Sequence, residues 1–162
     1  MRVGLIGGCA LVAALVFAVC VSGCGSSSSS TTTETTAAIT QAEFVAKGNA
    51  ICVKGEKAQE AAVNAYFKKH GIKEHQKPTK AQLTEVAETV LVPNIQSQID
   101  GVKALGAPSG EEQQVSAALE TAQQTLDRVK ANPTLAFENE NLFAATGKQL
   151  HALGLKKCAP NS

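Results

Sequence analysis

Aromatic side chains are scarce in this chain, which has no Trp, one Tyr and five Phe among its 162 residues. That poverty removes the stacking platforms used to hold single-stranded nucleic acid. Excess charge of either sign is missing too: 15 Lys and Arg stand against 14 Asp and Glu, for a net charge of +1. Arg2 lies in a segment expected to be removed, which leaves 14 basic residues against 14 acidic ones. A balanced body excludes the basic footprint of a nucleic-acid partner. It equally excludes attachment to a membrane through charge alone. β-branched runs of strand type are absent from the body, whose Ala, Gln, Glu, Lys and Leu favour helices. No CxxC, HExxH or ExxH spacing occurs, and no Ser or Thr sits in a Gly-flanked elbow. The reading is therefore of a protein that is not an enzyme and uses no cofactor and no metal.

What the chain does have begins at its N-terminus. Arg2 supplies a positive start, and Val3 to Val21 form an apolar run broken only by small residues. Val3 to Gly23 is just long enough to span a bilayer uncleaved. The end of the run decides between the two readings. Val21-Ser22-Gly23-Cys24 matches a bacterial lipobox: an aliphatic residue, two small residues, then Cys. Small residues let the scissile backbone lie extended in a peptidase groove, and the Cys24 thiol accepts the diacylglycerol. Residues 1–23 are expected to be a lipoprotein signal peptide. Residues 24–39 are the lipidated Cys and a Ser/Thr-rich linker, and 40–162 a helical domain. Gly25 to Thr36, GSSSSSTTTETT, has nothing to bury and is expected to be disordered. Fully extended, it reaches about 40 Å, and as a coil nearer 20 Å. The expected location is the extracytoplasmic face of the cell membrane, held by lipid on Cys24.

Five cysteines are present. Cys9 and Cys20 leave with the signal peptide and Cys24 is consumed by lipid. Cys52 and Cys158 remain, and an even pair outside the cytoplasm reads as one disulfide. The domain itself opens on Thr40-Gln41-Ala42-Glu43, a capping box. The first helix is expected to end near His70-Gly71, where Gly suits the left-handed position. Phe44, Gly48, Ile51, Cys52, Gly55, Ala58, Ala62 and Tyr66 share one face of it at helical spacing. Thr79-Lys80-Ala81-Gln82 is a second capping box. Leu83, Ala87, Val90 and Leu91 follow it, then Val92, Ile95, Ile99 and Val102 on a stripe rotated by about 100°. Pro93 lies at that change of phase and predicts a kink, bulge or break between Thr89 and Asn94. Ser109-Gly110-Glu111-Glu112 reads as a third cap. Helix three offers Val115, Ala118, Leu119, Ala122, Leu126 and Val129. A last helix is expected over about Glu138 to Leu153, with Phe143, Leu150 and Leu153 as its apolar residues.

These signals predict an all-α fold: an up-down-up-down four-helix bundle with helix two kinked or broken at Pro93. In that arrangement Cys158 returns to the level of Cys52, which a three-helix reading does not allow. Phe44-Val45-Ala46 with Ile51-Cys52, Val92-Pro93-Asn94-Ile95 through Leu105 to Pro108, and Gly154-Leu155-Lys156-Lys157-Cys158 carry a resemblance. Over most of Gln41 to Ala159 the chain resembles a large group of two-cysteine helical lipoproteins from high-GC Gram-positive bacteria. That group has no assigned activity to transfer.

His70, His75 and His151 fall on separate elements without ligand spacing. Glu85 and Glu88 read as solvated charges rather than an acid–base pair. The leading expectation is a non-enzymatic, partner-binding or envelope-structural lipoprotein, tied to the membrane through the lipid on Cys24. Its partner would be an envelope protein. The alternative is a small-ligand or metal-binding lipoprotein serving a transporter or sensor. A filled Leu/Val/Ala core would favour the first, and a pocket with inward-facing polar groups the second.

Overall fold

Every regular element among residues 38–159, which the computed structural model describes, is helical. The expected signal peptide, the expected lipobox with Cys24 and the Ser/Thr-rich stretch lie outside the described residues. The helices are α1 (Gln41–Lys69), α2 (Lys80–Val86), α3 (Val92–Ala104), α4 (Glu112–Ala131), α5 (Leu135–Glu138) and α6 (Ala144–Ala152). A π-helical segment, Ala87–Leu91, joins α2 to α3. Side by side, α1 packs on α3, α3 on α4, and α4 on α6. No helix among the described residues is long and apolar enough to cross a membrane.

The starts of α1 and α2 follow from their capping boxes. Thr40 Oγ1 accepts from the Glu43 amide, and the Glu43 carboxylate accepts from the Thr40 amide. Thr79 and Gln82 repeat the exchange. Ile39, just outside the first box, packs against the cluster that holds Phe44, which staples the entry of the chain. The ends of α1 and α6 follow from glycine. Gly71 and Gly154 both have positive φ. Past them, the Ile72 amide reaches Phe67 O and the Leu155 amide reaches Leu150 O, which closes both helices in the same way.

Pro93 has the effect its phase change implies, slightly upstream of the proline itself. The Val92 amide donates to Ala87 O, five residues back instead of four. Pro93 then occupies the first turn of α3, where its missing N–H costs nothing. The wide turn inserts one residue into the helical count, and one residue is about 100° of rotation. Val86 and Ala87 before it and Ile99 and Val102 after it are thereby all buried.

Two expected boundaries need correction. Ser109 is not a cap. The Glu111 amide closes a turn onto Pro108 O, the Glu112 carboxylate accepts from the Gly110 amide, and α4 starts at Glu112. The last helix does not run unbroken from Glu138. Asn139 Oδ1 accepts from the Asn141 amide, a local bond that competes with helical pairing. The chain breaks between α5 and α6, and that break buries Leu142 and places Phe143 beside the interior.

The larger apolar cluster gathers Phe44, Val102, Val115, Ala118, Leu150, Leu153 and Leu155. Ile99, Ala122 and Leu126 form a second. Cys52 and Cys158 are joined by a disulfide, Cα to Cα 4.9 Å, which closes 106 residues of chain. The stripe on α1 is only partly used. Gly48 and Gly55 are needed, because a Cβ there would stand 2.5 Å from Leu155 Cδ2 and 2.4 Å from Gln98 Cδ. Ala58 and Ala62, expected on the packed face, are exposed. The reason is length: at about 1.5 Å per residue α1 extends about 43 Å and α6 only about 13 Å. The chain after α6 covers α1 around Val45 to Cys52 and no further.

Candidate functional site

The helices do not fill the space they enclose. A half-open cleft of about 520 Å³ runs between α1, α3, α4 and α6. One wall comes from Leu91 of the π-helical segment and from Ile95, Ile99 and Val102 of the rephased stripe, all of which line it. Opposite lie Leu119 and Ala122 of α4, with Phe143, Thr146, Gly147 and Leu150 at and within α6. The disulfide and the residues on either side of Cys158 border it, and Ala136 of α5 lines it as well. Polar groups at its edges are Glu56, Gln59, Gln98 and Lys157, of which Glu56 and Lys157 are exposed.

One lining group is out of balance with its surroundings. Thr146 is buried, at 4 % exposure, and its Oγ1 has no hydrogen-bond partner among the described residues. A helical Thr usually satisfies its hydroxyl on the carbonyl four residues back. Thr89, Thr121 and Thr125 do so here, at 2.6, 2.8 and 2.9 Å. Thr146 does not. A buried hydroxyl left unpaired costs about 1–3 kcal/mol, so this is an expensive group to place beside an apolar cleft.

The residues singled out in the sequence are dispersed. His70 stacks on Tyr66 with ring centroids 4.1 Å apart, at the end of α1. His75 is exposed in the α1–α2 loop. His151, on α6, is 2.8 Å from Ala159 O. Among the described residues no group of three or more His, Cys, Asp or Glu is gathered as for a metal ion. Glu85 and Glu88 are both exposed, as expected of solvated charges, and Glu85 Oε2 in addition accepts from the Tyr66 hydroxyl at 2.7 Å. Burial, and then the Glu85 carboxylate, push the Tyr66 hydroxyl up to about 12. Across α3 and α4, Gln96 and Gln123 exchange side-chain hydrogen bonds, and Gln123 and Lys130 both donate to Asp127. Those two donors, Gln123 first, hold the Asp127 carboxyl below its usual range. Of these residues only Ala159, whose carbonyl lies 2.8 Å from His151 Nε2, lines the cleft.

Two residues that sequence reasoning passed over matter most. Thr146 carries no local signal, since only its surroundings make its hydroxyl unusual. Asn49 is a clamp: its amide donates to Val45 O and Gly154 O, and its Oδ1 accepts from the Lys157 amide. A polar residue one step from Gly48 on an otherwise apolar face was the available clue. No family model matches the chain, and no curated protein or solved structure does so either.

Proposed function

We propose that this is a lipid-anchored, extracytoplasmic lipoprotein whose helical domain binds a ligand in the cleft without transforming it. The anchor rests on Val21 to Cys24 following an apolar run. The binding role rests on one observation: a half-open, largely apolar cleft of about 520 Å³ between α1, α3, α4 and α6. That volume is of the size that holds small ligands. Of the two roles read from the sequence, the cleft supports the small-ligand one over a purely structural or protein-docking bundle, although its walls are more apolar than that alternative anticipated. The same proposal takes the fold as an up-down-up-down bundle resembling the two-cysteine lipoproteins, with α2–α3 and α5–α6 as its second and fourth helices. The neighbour order α1–α3–α4–α6 supports that arrangement.

Two measurements test the proposal. Intact-mass analysis of protein extracted from membranes should show loss of residues 1–23 and added acyl mass on Cys24, while Cys24→Ser should be misprocessed or released. A product retaining Met1 without added mass refutes the anchor. For the cleft, anilinonaphthalene sulfonate should bind once per chain, and Ala136→Trp, which fills the cleft from its half-buried edge, should abolish that binding without lowering the melting temperature.

A further inference from the structure

The charge balance of the whole chain is not shared by its parts. Residues 68–80 hold five Lys, at 68, 69, 73, 77 and 80, against the one carboxylate of Glu74. With Arg2 set aside, the rest of the chain has nine basic residues against thirteen acidic ones. All five Lys are exposed, and none joins an ion pair among the described residues. Even with Glu85 and Glu88 included, residues 68–88 carry five positive charges against three negative ones. None of residues 68–80 lines the cleft, so these charges are separate from the site above.

The fold gathers them at one tip. Gly101 lies against Ile51, Gln98 against Gly55 and Glu85 against Tyr66, so α2 and α3 descend as α1 climbs. Lys80, before Glu85 on α2, is thereby carried past the level of Tyr66 toward the end of α1, where Lys68 and Lys69 stand. Lys73 and Lys77 lie in the loop between. Local structure accounts for only the first two. Lys68 and Lys69 occupy the last turn of α1, where the negative end of a helix favours cations. Lys80 is the first residue of α2, where the positive end of a helix disfavours one. Lys73 and Lys77 serve no helix end. Unpaired like charges repel one another across such a tip, and an anionic partner relieves that repulsion.

We propose that residues 68–80 are a docking surface for a flexible linear polyanion of the cell envelope. Lysine offers a compact point charge, and no Arg stands among these residues to grip one phosphate or carboxylate with two parallel bonds. A single small anion is therefore held weakly, and a chain that presents several charges in succession is held well. A bilayer is the other anionic surface near an anchored protein, and lengths decide against it. At 29 residues, α1 sets the tip about 43 Å from Thr40, whereas the Ser/Thr-rich tether that enters there spans about 20 Å as a coil. The end of the domain held near the bilayer is the one without the excess. The choice of polymer over bilayer rests on the anchor proposed above, and the charge of the tip does not.

The isolated domain serves for the test, because Thr36–Ser162 is a compact unit that contains both apolar clusters and the disulfide. The probe is inorganic polyphosphate, with binding read by calorimetry. Raising salt from about 50 to about 200 mM should weaken binding roughly 100-fold, the counterion release of five contacts to a single-stranded polyanion. In a tip variant, Lys73→Gln with Lys77→Gln and Lys80→Gln, the same rise should weaken binding only about sevenfold. That variant should melt no lower than the parent domain. Lys103→Gln with Lys148→Gln and Lys156→Gln removes the same charge from elsewhere on the exposed surface and should leave the salt dependence unchanged. Equal losses in the two variants show attraction to net charge alone and overturn the proposal. So does polyphosphate affinity no greater than that of inorganic phosphate at equal phosphorus content. Binding to phosphatidylglycerol vesicles that exceeds binding to polyphosphate assigns the tip to the bilayer and overturns the polymer. Refutation of the anchor by intact mass, with polyphosphate bound as expected, overturns the envelope as the source of the polymer and leaves the docking surface standing.

Discussion

The two halves of α1 have nearly the same kind of sequence and very different surroundings. From Gln41 to Gly55 the helix is sewn to the chain that follows α6. Cys52 is bonded to Cys158, Leu155 sits against Gly48, and Asn49 holds the tail at Gly154 and Lys157. From Glu56 to Lys69, Ala58, Ala61, Ala62 and Ala65 are exposed, and the last residue anchored by a side chain is Tyr66 on Glu85. Good helix formers make the helix in both halves. The first half buries Phe44, Gly48 and Cys52 against close neighbours, and the second half buries Tyr66 alone. Small residues at helical spacing permit close approach, but they do not supply the element that approaches.

If that contrast is right, substitutions should grade from severe to silent along α1. The largest effect belongs to the disulfide. It closes a loop of 106 residues, which the chain-entropy view values at about 4.7 kcal/mol. Cys52→Ala should lower chemical stability by several kcal/mol, Cys158→Ala should match it, and the double variant should add little. Amide exchange should quicken first over Phe143 to Leu153, because the bond holds the tail that follows the nine-residue α6. A loss under about 1 kcal/mol would show that the apolar clusters carry the tail unaided.

Asn49→Ala comes next. It strands the half-buried Gly154 carbonyl and releases the exposed Lys157 amide to water, at a cost of about 1–3 kcal/mol by denaturant titration. Coupling to Cys52→Ala should be large, since both hold the same tail, and additive losses would break the picture of one clamp.

On the second half of the helix, Tyr66 makes a pH-dependent contribution. Its hydroxyl is neutral to about 12 in the folded chain, against about 10 when free. A raised acid favours the folded state while it stays protonated. Its contribution is therefore complete below pH 10 and is lost as pH rises from 10 toward 12. Tyr66→Phe should flatten that part of the stability curve, with phenolate absorbance reporting the titration directly. A phenol that ionises at its ordinary pH would place Tyr66 and Glu85 apart in solution. The smallest effect is expected at Ala62→Lys, within about 0.5 kcal/mol, because the site is exposed. A loss of solubility-independent stability there, or a change in oligomeric state on substitution, would mean the bare face is covered by something.

The sequence by itself determined the local features of this protein. Capping boxes at Thr40 and Thr79, terminators at Gly71 and Gly154, and the change of phase at Pro93 each depend on residues within one or two turns. Contacts that local are legible in order along the chain. The pairing of Cys52 with Cys158 was legible for a different reason, because elimination left only two thiols. Tertiary structure alone decided the rest. It set which half of α1 is covered, because that depends on how far α6 and the tail reach. It turned Phe143 toward the interior, past the local break at Asn139. It also left a cleft with Thr146 unpaired beside it, since an empty volume is a property of several helices at once. No residue in a helix records how well its neighbours fill the space in front of it.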